Sequence, residues 1–566
     1  MPAVISSGSS KAPLAFAPLA LSLIAGAALL FAPAARAGTE PAARRFTLFY
    51  SAEAHGTLEP CGCTSDPLGD VARYASVVRA ARKEKAAGDV LLVDAGGLSF
   101  PEGGSAPRER AGNALRATFL ARELGKLGLV GAGVADADVP PGSEPVAPAR
   151  LAVNLAASAR FKPAPSALRT AGGVQVGVLG VADPALAATL GTKAEEPVAA
   201  ARREAERLRK AGAEIVIALA PVERAVARRI ARDAGVDFVV LGRQVGKGAP
   251  RADAVGRAFI LAPADELQKV GRVDVVLRAS GGPLVDAGGP EATELRKAEV
   301  ARALARLDVE LATWSSETVG ADADYLETKR REREALAAEQ KKLAAAAWSP
   351  PAAGSCFTNT LVALRRSLPR DPSIASAMHG LDAQIGKLNL KAAAPPPPAE
   401  PGRPFFVGMA KCASCHKPAM AFWKKTVHAG AWRTLVVGGK QADYKCVGCH
   451  VSGYGEVGGS SLGHTRGFEN VQCETCHGPG STHVAAKGLE DPPAVHRGTT
   501  ASTCAPCHNE HHSDTFQYDA YLRDIVGPGH GPAARKKLGD GPTGSDLRGA
   551  ALMKAQAAGR EALKKL

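Results

Sequence analysis

The sequence predicts a multi-domain chain: an α/β layered domain towards the N-terminus, a helical hairpin spacer, and a C-terminal region of mostly α and irregular structure. Three observations predict it. Short apolar runs alternate with helical ones over residues 46 to 288. An Ala/Glu/Lys/Arg-rich stretch with leucines at helical spacing follows. The last third has few long periodic apolar stretches but holds most of the cysteines and histidines. A length of 566 residues also exceeds what one hydrophobic core usually organises. With 46% apolar and 22% charged residues the chain is not disordered as a whole, while 61 Gly, 40 Pro and 5% aromatics predict long loops and an alanine-filled interior. The formal charge of +14 permits an anionic partner without naming one.

In chain order, Lys11 and the apolar run Leu14 to Phe31 end in Ala35-Arg36-Ala37, the pattern of a secretory signal over residues 1–37. The run is also long enough to serve as an uncleaved anchor, the one condition under which membrane association is expected. No second such run follows, which excludes a multi-spanning membrane protein, and no cysteine follows the cut to carry a lipid. Export to the periplasm is the expectation, into a compartment where stray thiols oxidise.

Residues 38–288 form the α/β domain. Phe46 to Tyr50, Val90 to Val93, Val174 to Val178, Ile215 to Leu219 and Phe238 to Leu241 read as short buried strands. Asp70 to Ala87 and Val198 to Ala211 read as the helices between them. Residues 289–391 are a helical spacer. Leu295, Leu304, Leu307 and Leu311, then Leu326, Leu336 and Leu343, predict an antiparallel hairpin broken near Gly320, and a small helical piece from Thr358 to Leu390 follows. Residues 392–404, with Pro395 to Pro398, predict a semi-rigid linker that separates the last part from everything upstream. The tail over 531–566 is basic, and its end reads as one helix.

Within 405–530 eight of the eleven cysteines occur as Cys412-Ala-Ser-Cys415-His416, Cys446-Val-Gly-Cys449-His450, Cys473-Glu-Thr-Cys476-His477 and Cys504-Ala-Pro-Cys507-His508. Each is C-x-x-C-H, the attachment sequence for c-type haem. Two cysteines three apart reach both vinyl groups of one porphyrin, and the adjacent histidine falls under the iron. Zinc ribbons or redox disulfides would also use paired cysteines, but neither needs a histidine after every pair. Four covalently bound c-type haems are therefore expected, supplying most of the buried apolar surface of this region. Residues 401–566 carry 20 Lys+Arg against 13 Asp+Glu. Haem propionates can cancel that excess, so no nucleic-acid partner is expected. Beside the four proximal histidines stand His428, His464, His483, His496, His511, His512 and His530, in a region where imidazole is the preferred further iron ligand.

The run from Cys412-His416 through Trp423 and His428-Ala429 to Cys446-His450, then Val471-Gln-Cys473-Glu-Thr-Cys476-His477-Gly478-Pro479-Gly480 and His483, resembles the tetrahaem cytochrome c-554 family. The stretch Cys504-His508, Asn509-Glu510-His511, Phe516, Tyr518 and Tyr521-Leu522 is similar too, and the likeness covers about a quarter of the chain. It implies electron-transfer haems packed edge to edge, mostly with two histidine ligands. On that pattern His428 crosses to the third haem, His483 returns to the first, and His530, His511 or His512 closes the fourth. The His450 haem is five-coordinate in that pattern, although His464 nearby is a possible cap.

Upstream, Ser51-Ala-Glu53-Ala-His55-Gly56, Leu92-Val-Asp94-Ala-Gly96-Gly97, Val153-Asn154, Val240-Leu-Gly242 and Gly271-Arg-Val273 resemble the calcineurin-like phosphoesterase fold in its secreted 5'-nucleotidase branch. That family holds two metals that activate water. Here its D-x-H reads Glu53-Ala-His55, its G-D aspartate is Gly97, its G-N-H-[DE] segment reads Gly133-Val-Ala-Asp136, its later histidine is Pro221, and its G-H-x-H is Gly242-Arg-Gln-Val245. Two or three surviving ligands cannot hold two metals. The expectation is a scaffold or binding module. Glu59-Pro-Cys61-Gly-Cys63 leaves three readings open: a disulfide within the pair, pairing with Cys356, or a soft-metal site with His55.

The functional expectation is an exported tetrahaem cytochrome that passes single electrons to a redox partner protein. Two alternatives stand beside it: a multihaem reductase binding a small nitrogen or sulfur species at an open haem, and a metal-dependent phosphoesterase with a haem appendage.

Overall fold

The computed structural model describes residues 43–84, 89–140, 149–159, 161–278, 282–314, 323–345, 351–489 and 495–564. The signal expected over residues 1–37 and the break expected near Gly320 lie outside them.

The strands are β1 (Arg44–Ser51), β2 (Val90–Asp94), β3 (Leu129–Ala132), β4 (Ser166–Ala171), β5 (Val174–Gly180), β6 (Ile215–Ala220), β7 (Phe238–Leu241), β8 (Ala249–Val255), β9 (Ala258–Ala262), β10 (Lys269–Leu277), β11 (Val285–Asp286) and β12 (Cys356–Ala363). They form two six-stranded sheets, β11-β12-β10-β1-β2-β3 and β4-β5-β6-β7-β9-β8. The first is parallel across β1-β2-β3 and antiparallel across β1-β10-β12; the second is parallel from β5 to β9 with antiparallel edges.

The two-residue alternation of strands sets the layers. Phe46, Leu48 and Tyr50 of β1, with Leu91 and Val93 of β2, enter the core against Val176, Val178 and Ile217 of the second sheet. Phe49 and Leu92 point the other way, into a core shared with helices Val71–Glu84, Arg110–Lys126 and Pro372–Ala392. Helices Pro197–Lys210 and Arg224–Asp233 cover the outer face of the second sheet. The domain is a four-layer α/β/β/α stack, so the α/β expectation and the five strands read from the sequence all stand.

Two expectations about the middle of the chain are corrected. Thr358 to Ala363 is not helical. It belongs to β12, which enters the first sheet between β11 and β10. Cys356, Phe357, Asn359 and Leu361 are buried while Thr358, Thr360 and Val362 are half-buried, a strand pattern that the polar Thr358, Asn359 and Thr360 hide in the sequence. Phe357 meets Phe238 at 5.0 Å and Phe259 at 4.7 Å, both edge-on, and so ties the two sheets together. Helix Pro372–Ala392 is likewise part of the α/β body, through Ile374, Met378, Leu381 and Ile385. The spacer is therefore only the hairpin of Pro290–Trp314 and Ala323–Ala345, inserted between β11 and β12. Arg296 to Glu339 at 2.7 Å and Arg333 to Asp308 at 2.5 Å fix its antiparallel register.

Nor does the proline-rich segment separate the C-terminal region from the rest. Its carbonyls accept hydrogen bonds from Gly458 N (Pro397 O, 2.9 Å) and Ser461 Oγ (Ala394 O, 2.6 Å). Lys440 donates to Glu59 at 2.8 Å and Asp382 at 2.6 Å. Arg116 pairs with Asp443 at 2.8 Å, and Asn389 Nδ2 donates to Ala442 O at 2.8 Å. The reason is that charged side chains on both sides of the segment meet.

The C-terminal region is built of short helices, with one small apolar cluster of Leu435, Val447 and Val451. Its end is the helix Gly544–Lys564, which packs on Tyr518–Ile525. Among the described residues no helix is long and apolar enough to cross a membrane.

Candidate haem centres

Each attachment sequence closes on itself in a turn. His416 N donates to Cys412 O at 3.0 Å, His508 N to Cys504 O at 2.8 Å, and His450 N to Val447 O at 2.9 Å. Cys473–His477 is a single helical turn. Such a turn sets two sulfurs and one imidazole on neighbouring positions, the arrangement one porphyrin needs.

The third sequence is braced by Glu474 within it and by Gln472 and Trp423 outside it. Glu474 is buried, and its carboxylate accepts from Val407 N at 3.0 Å, Gly408 N at 2.7 Å and Gly480 N at 2.8 Å. Gln472 accepts from Met409 N at 2.9 Å and donates to Gly467 O and Glu469 O. Trp423 Nε1 donates to Val471 O at 2.8 Å. The structural roles of Gln472, Glu474 and Trp423 were not read from the sequence; two polar residues framing a buried-cofactor motif were the available signal.

Three imidazole pairs face one another. His416 and His483 have ring centroids 6.2 Å apart, His428 and His508 6.2 Å, and His477 and His530 6.5 Å. An imidazole nitrogen sits about 2 Å from a bound first-row metal and the ring centre about 1 Å further, so two histidines sharing one iron hold their centroids about 6 Å apart. All three pairs fit an iron between them. The first pair is the one the sequence resemblance implies. The other two exchange partners: His428 faces His508 of the fourth attachment sequence, not the third, and His530 faces His477 of the third, not the fourth. The physical reason is the path of the chain. His428 N-flanks helix Ala431–Gly438, and its carbonyl accepts from Val471 N, while Gly529 packs against Ala419 and brings His530 alongside His477.

The proximal rings are held by their other nitrogen. His450 Nδ1 lies 2.6 Å from Ala431 O, His477 Nδ1 2.6 Å from His496 O, and His508 Nδ1 3.0 Å from Ser513 Oγ. A carbonyl at Nδ1 fixes the tautomer that leaves the Nε2 lone pair for a metal. Burial, with His508 adding, pushes His428 down to about 4, and burial also lowers His508 and His530. The lowering favours the neutral form that ligation requires. Among the described residues no imidazole faces His450. His464 is exposed in a turn closed on Ser461, and His511 is exposed as well. The His496 ring sits 3.5 Å from where a Cβ on Gly478 would lie.

In the α/β domain the carboxylates of Glu53, Asp94 and Asp138 are spent on the fold, while Asp136 of the Gly133-Val-Ala-Asp136 segment is exposed. Glu53 accepts from Gln244 N and Val245 N, both at 2.9 Å. Asp94, fully buried, accepts from Ser51 Oγ at 2.7 Å and Gly96 N at 2.9 Å, and burial raises it to about 7. Asp138 accepts from the backbone of Gly97, Leu98, Ser99 and Ala135 and pairs with Arg150 at 2.9 Å. A Cβ on Gly96 would stand 3.1 Å from Pro221, and one on Gly242 2.2 Å from Ala95 O. Side chains and backbone fill the place where ligands would converge.

Cys356 is buried in β12 and forms no disulfide. The Cys61-Gly-Cys63 loop meets His512 instead of His55.

Residues 411–478 match the family described as Cytochrome c554 and c-prime. The match takes in the first three attachment sequences. Over 91 residues the chain is 38% identical to Cytochrome c-554 of Nitrosomonas europaea, covering 13% of this chain and 39% of that protein. The chain thus spans well under half the length of this curated relative. Among solved structures, the 5'-nucleotidase precursor of Thermus thermophilus is similar over 43% of this chain and 53% of its own, at 20% identity and a TM-score of 0.36. The calcineurin-like phosphoesterase YfkN of Bacillus subtilis is similar over 42% and 86%, at 16% identity and a TM-score of 0.32. The C-terminal region is cytochrome c554-like, as its motifs predict.

Proposed function

We propose that this chain is an exported, periplasmic tetrahaem c-type cytochrome that passes single electrons through closely packed haems to a redox partner protein. The observation that carries the reading is the set of three imidazole pairs spaced for an iron, each containing the histidine of a C-x-x-C-H sequence. Cys412, Cys415, Cys446, Cys449, Cys473, Cys476, Cys504 and Cys507 would hold the porphyrins; His416, His450, His477 and His508 would be proximal ligands, with His483, His530 and His428 opposite the first, third and fourth. Bound c-type haem supplies one-electron cycling of iron between two oxidation states. The chain's own part is to aim the imidazoles of His450, His477 and His508, through the Nδ1 contacts to Ala431 O, His496 O and Ser513 Oγ. Paired imidazoles leave no exchangeable position, which suits transfer over catalysis. The α/β domain, bonded to this region through Lys440 and Arg116, would position it for its partner.

The test is the mass and spectrum of the exported protein. Four haems per chain are expected, three of them low-spin. His428→Ala combined with loss of the fourth attachment (Cys504→Ala, Cys507→Ala) should add no high-spin signal beyond that double variant. His530→Ala in the same background should add one. Bare-chain mass, or the opposite pattern, overturns the reading.

A second reading is favoured by His450, which no imidazole faces among the described residues. A small oxidised nitrogen or sulfur species would bind and be reduced at that haem, and a spectral shift with nitric oxide or cyanide in the wild-type protein tests it. Hydrolysis of phosphate esters is disfavoured by the internal bonds of Glu53, Asp94 and Asp138. Turnover with added manganese that His55→Ala abolishes would restore it.

A further inference from the structure

Cys61 and Cys63 lie in the loop between β1 and the helix Val71–Glu84, and no haem attachment uses them. Their sulfurs and a ring nitrogen of His512 all lie within 4.8 Å of one another. The ligand atoms come from two parts of the chain that are far apart in sequence, and each side is braced. Ser65 N donates to the Asp514 carboxylate at 3.0 Å, and Ser65 Oγ donates to it as well. Arg548 Nη1 donates to Cys63 O at 3.0 Å. Bracing two residues away on both sides holds the three ligand atoms together before anything binds, the condition for a preorganised site.

The donor set is soft. Two thiolates and one imidazole, with no oxygen ligand in the cluster, select thiophilic ions over calcium or magnesium. Around one such ion, metal–sulfur and metal–nitrogen bonds of about 2.3 and 2.0 Å place ligand atoms about 3.5–4 Å apart, within reach of this cluster by small side-chain rotation.

We propose that Cys61, Cys63 and His512 form a site for one thiophilic metal ion, Cu(I) or Zn(II), at the seam between the α/β domain and the haem region. Three protein ligands leave room for a fourth, exchangeable one. The site clamps the loop after β1 to the segment that follows the fourth attachment sequence.

The experiment uses the haem-loaded full chain, purified from cells grown with added copper or added zinc, with metals counted by mass spectrometry. One copper or one zinc per chain is expected beyond the haem iron, and the medium that fills the site names the ion. Cys61→Ser and His512→Ala should each lower that occupancy at least tenfold with haem absorbance unchanged, while Cys356→Ser keeps it. Cys61→Ser lies in an exposed loop and remains decisive should His512→Ala fail to load haem. Neither metal bound, metal retained in Cys61→Ser, or a Cys61–Cys63 disulfide in the purified wild-type protein would overturn the proposal. Haem count and metal count are separate readouts, so this site and the cytochrome reading fail independently.

Discussion

Lys440 is the cation on which the contact between the two halves of the molecule turns, and Lys440→Met removes its charge while keeping an apolar stem. Its ammonium donates to Glu59 at 2.8 Å and to Asp382 at 2.6 Å, and the three side chains are 23%, 28% and 15% exposed. Burial works against the Lys440 charge, but the two carboxylates outweigh it and raise its proton affinity. A hydrogen bond to a charged group contributes about 1.5–3 kcal/mol, and partial exposure places these at the lower end. Glu59 keeps Arg370 at 3.1 Å after the substitution. Asp382 is left in a mostly buried place without this cation. The expected loss is about 3 kcal/mol. Thermal unfolding of the haem-loaded chain measures it, with trypsin cleavage after Lys391 reporting separation of the halves. Arg296→Ala, which breaks an exposed pair in the hairpin, serves as the comparison and should cost far less. Coupling of at least about 1 kcal/mol between Lys440→Met and Asp382→Asn is expected in a double-mutant cycle. A Lys440→Met protein as stable as wild type, with no new cleavage, refutes the reasoning.

Three further outcomes follow from other sites. Asp94 is raised from 3.8 to about 7 by burial, so the unfolded chain gives up this proton first as pH climbs; its contribution favours folding below about pH 4, and from there to pH 7 about 4 kcal/mol is lost. Asp94→Asn should match wild type near pH 4 and exceed it at pH 8 in denaturant titrations; the reverse order would show that Asp94 folds ionised. Glu474→Gln puts an amide N–H against backbone donors at 407, 408 and 480, and should cost about 2–3 kcal/mol and lower haem loading, read by absorbance per chain. Phe357→Ala should cost about 3–5 kcal/mol in thermal unfolding of the α/β body, since it empties the contact between the sheets.

The parts of the fold legible in the sequence were those set by local pattern. Five buried strands, the hairpin and the final helix declare themselves through the pattern of their apolar residues. β12, although longer than β2 or β7, escaped because the polar Thr358, Asn359 and Thr360 interrupt its apolar residues, and its partners lie beyond the hairpin. The four attachment sequences are legible for a chemical reason, since sulfur and imidazole must sit within one turn. Which imidazole faces which is not local: His428 and His508 are brought together by the path of the chain, and a pattern borrowed from resemblance exchanged two partners. The bond of Ser65 to Asp514 spans 449 residues and rests on single side chains, with no repeat to announce it.

β12 sits between β11 and β10, so the first sheet is incomplete until residue 363 has been made. Even so, it is finished before Cys412, the earliest attachment cysteine, is reached. During synthesis the chain can therefore close a self-sufficient body first. Glu59, Asp382 and Arg116 then stand ready on a surface that needs no cofactor, and the later segment, with hardly any apolar interior of its own, has a solid wall to assemble against while its porphyrins are being fastened.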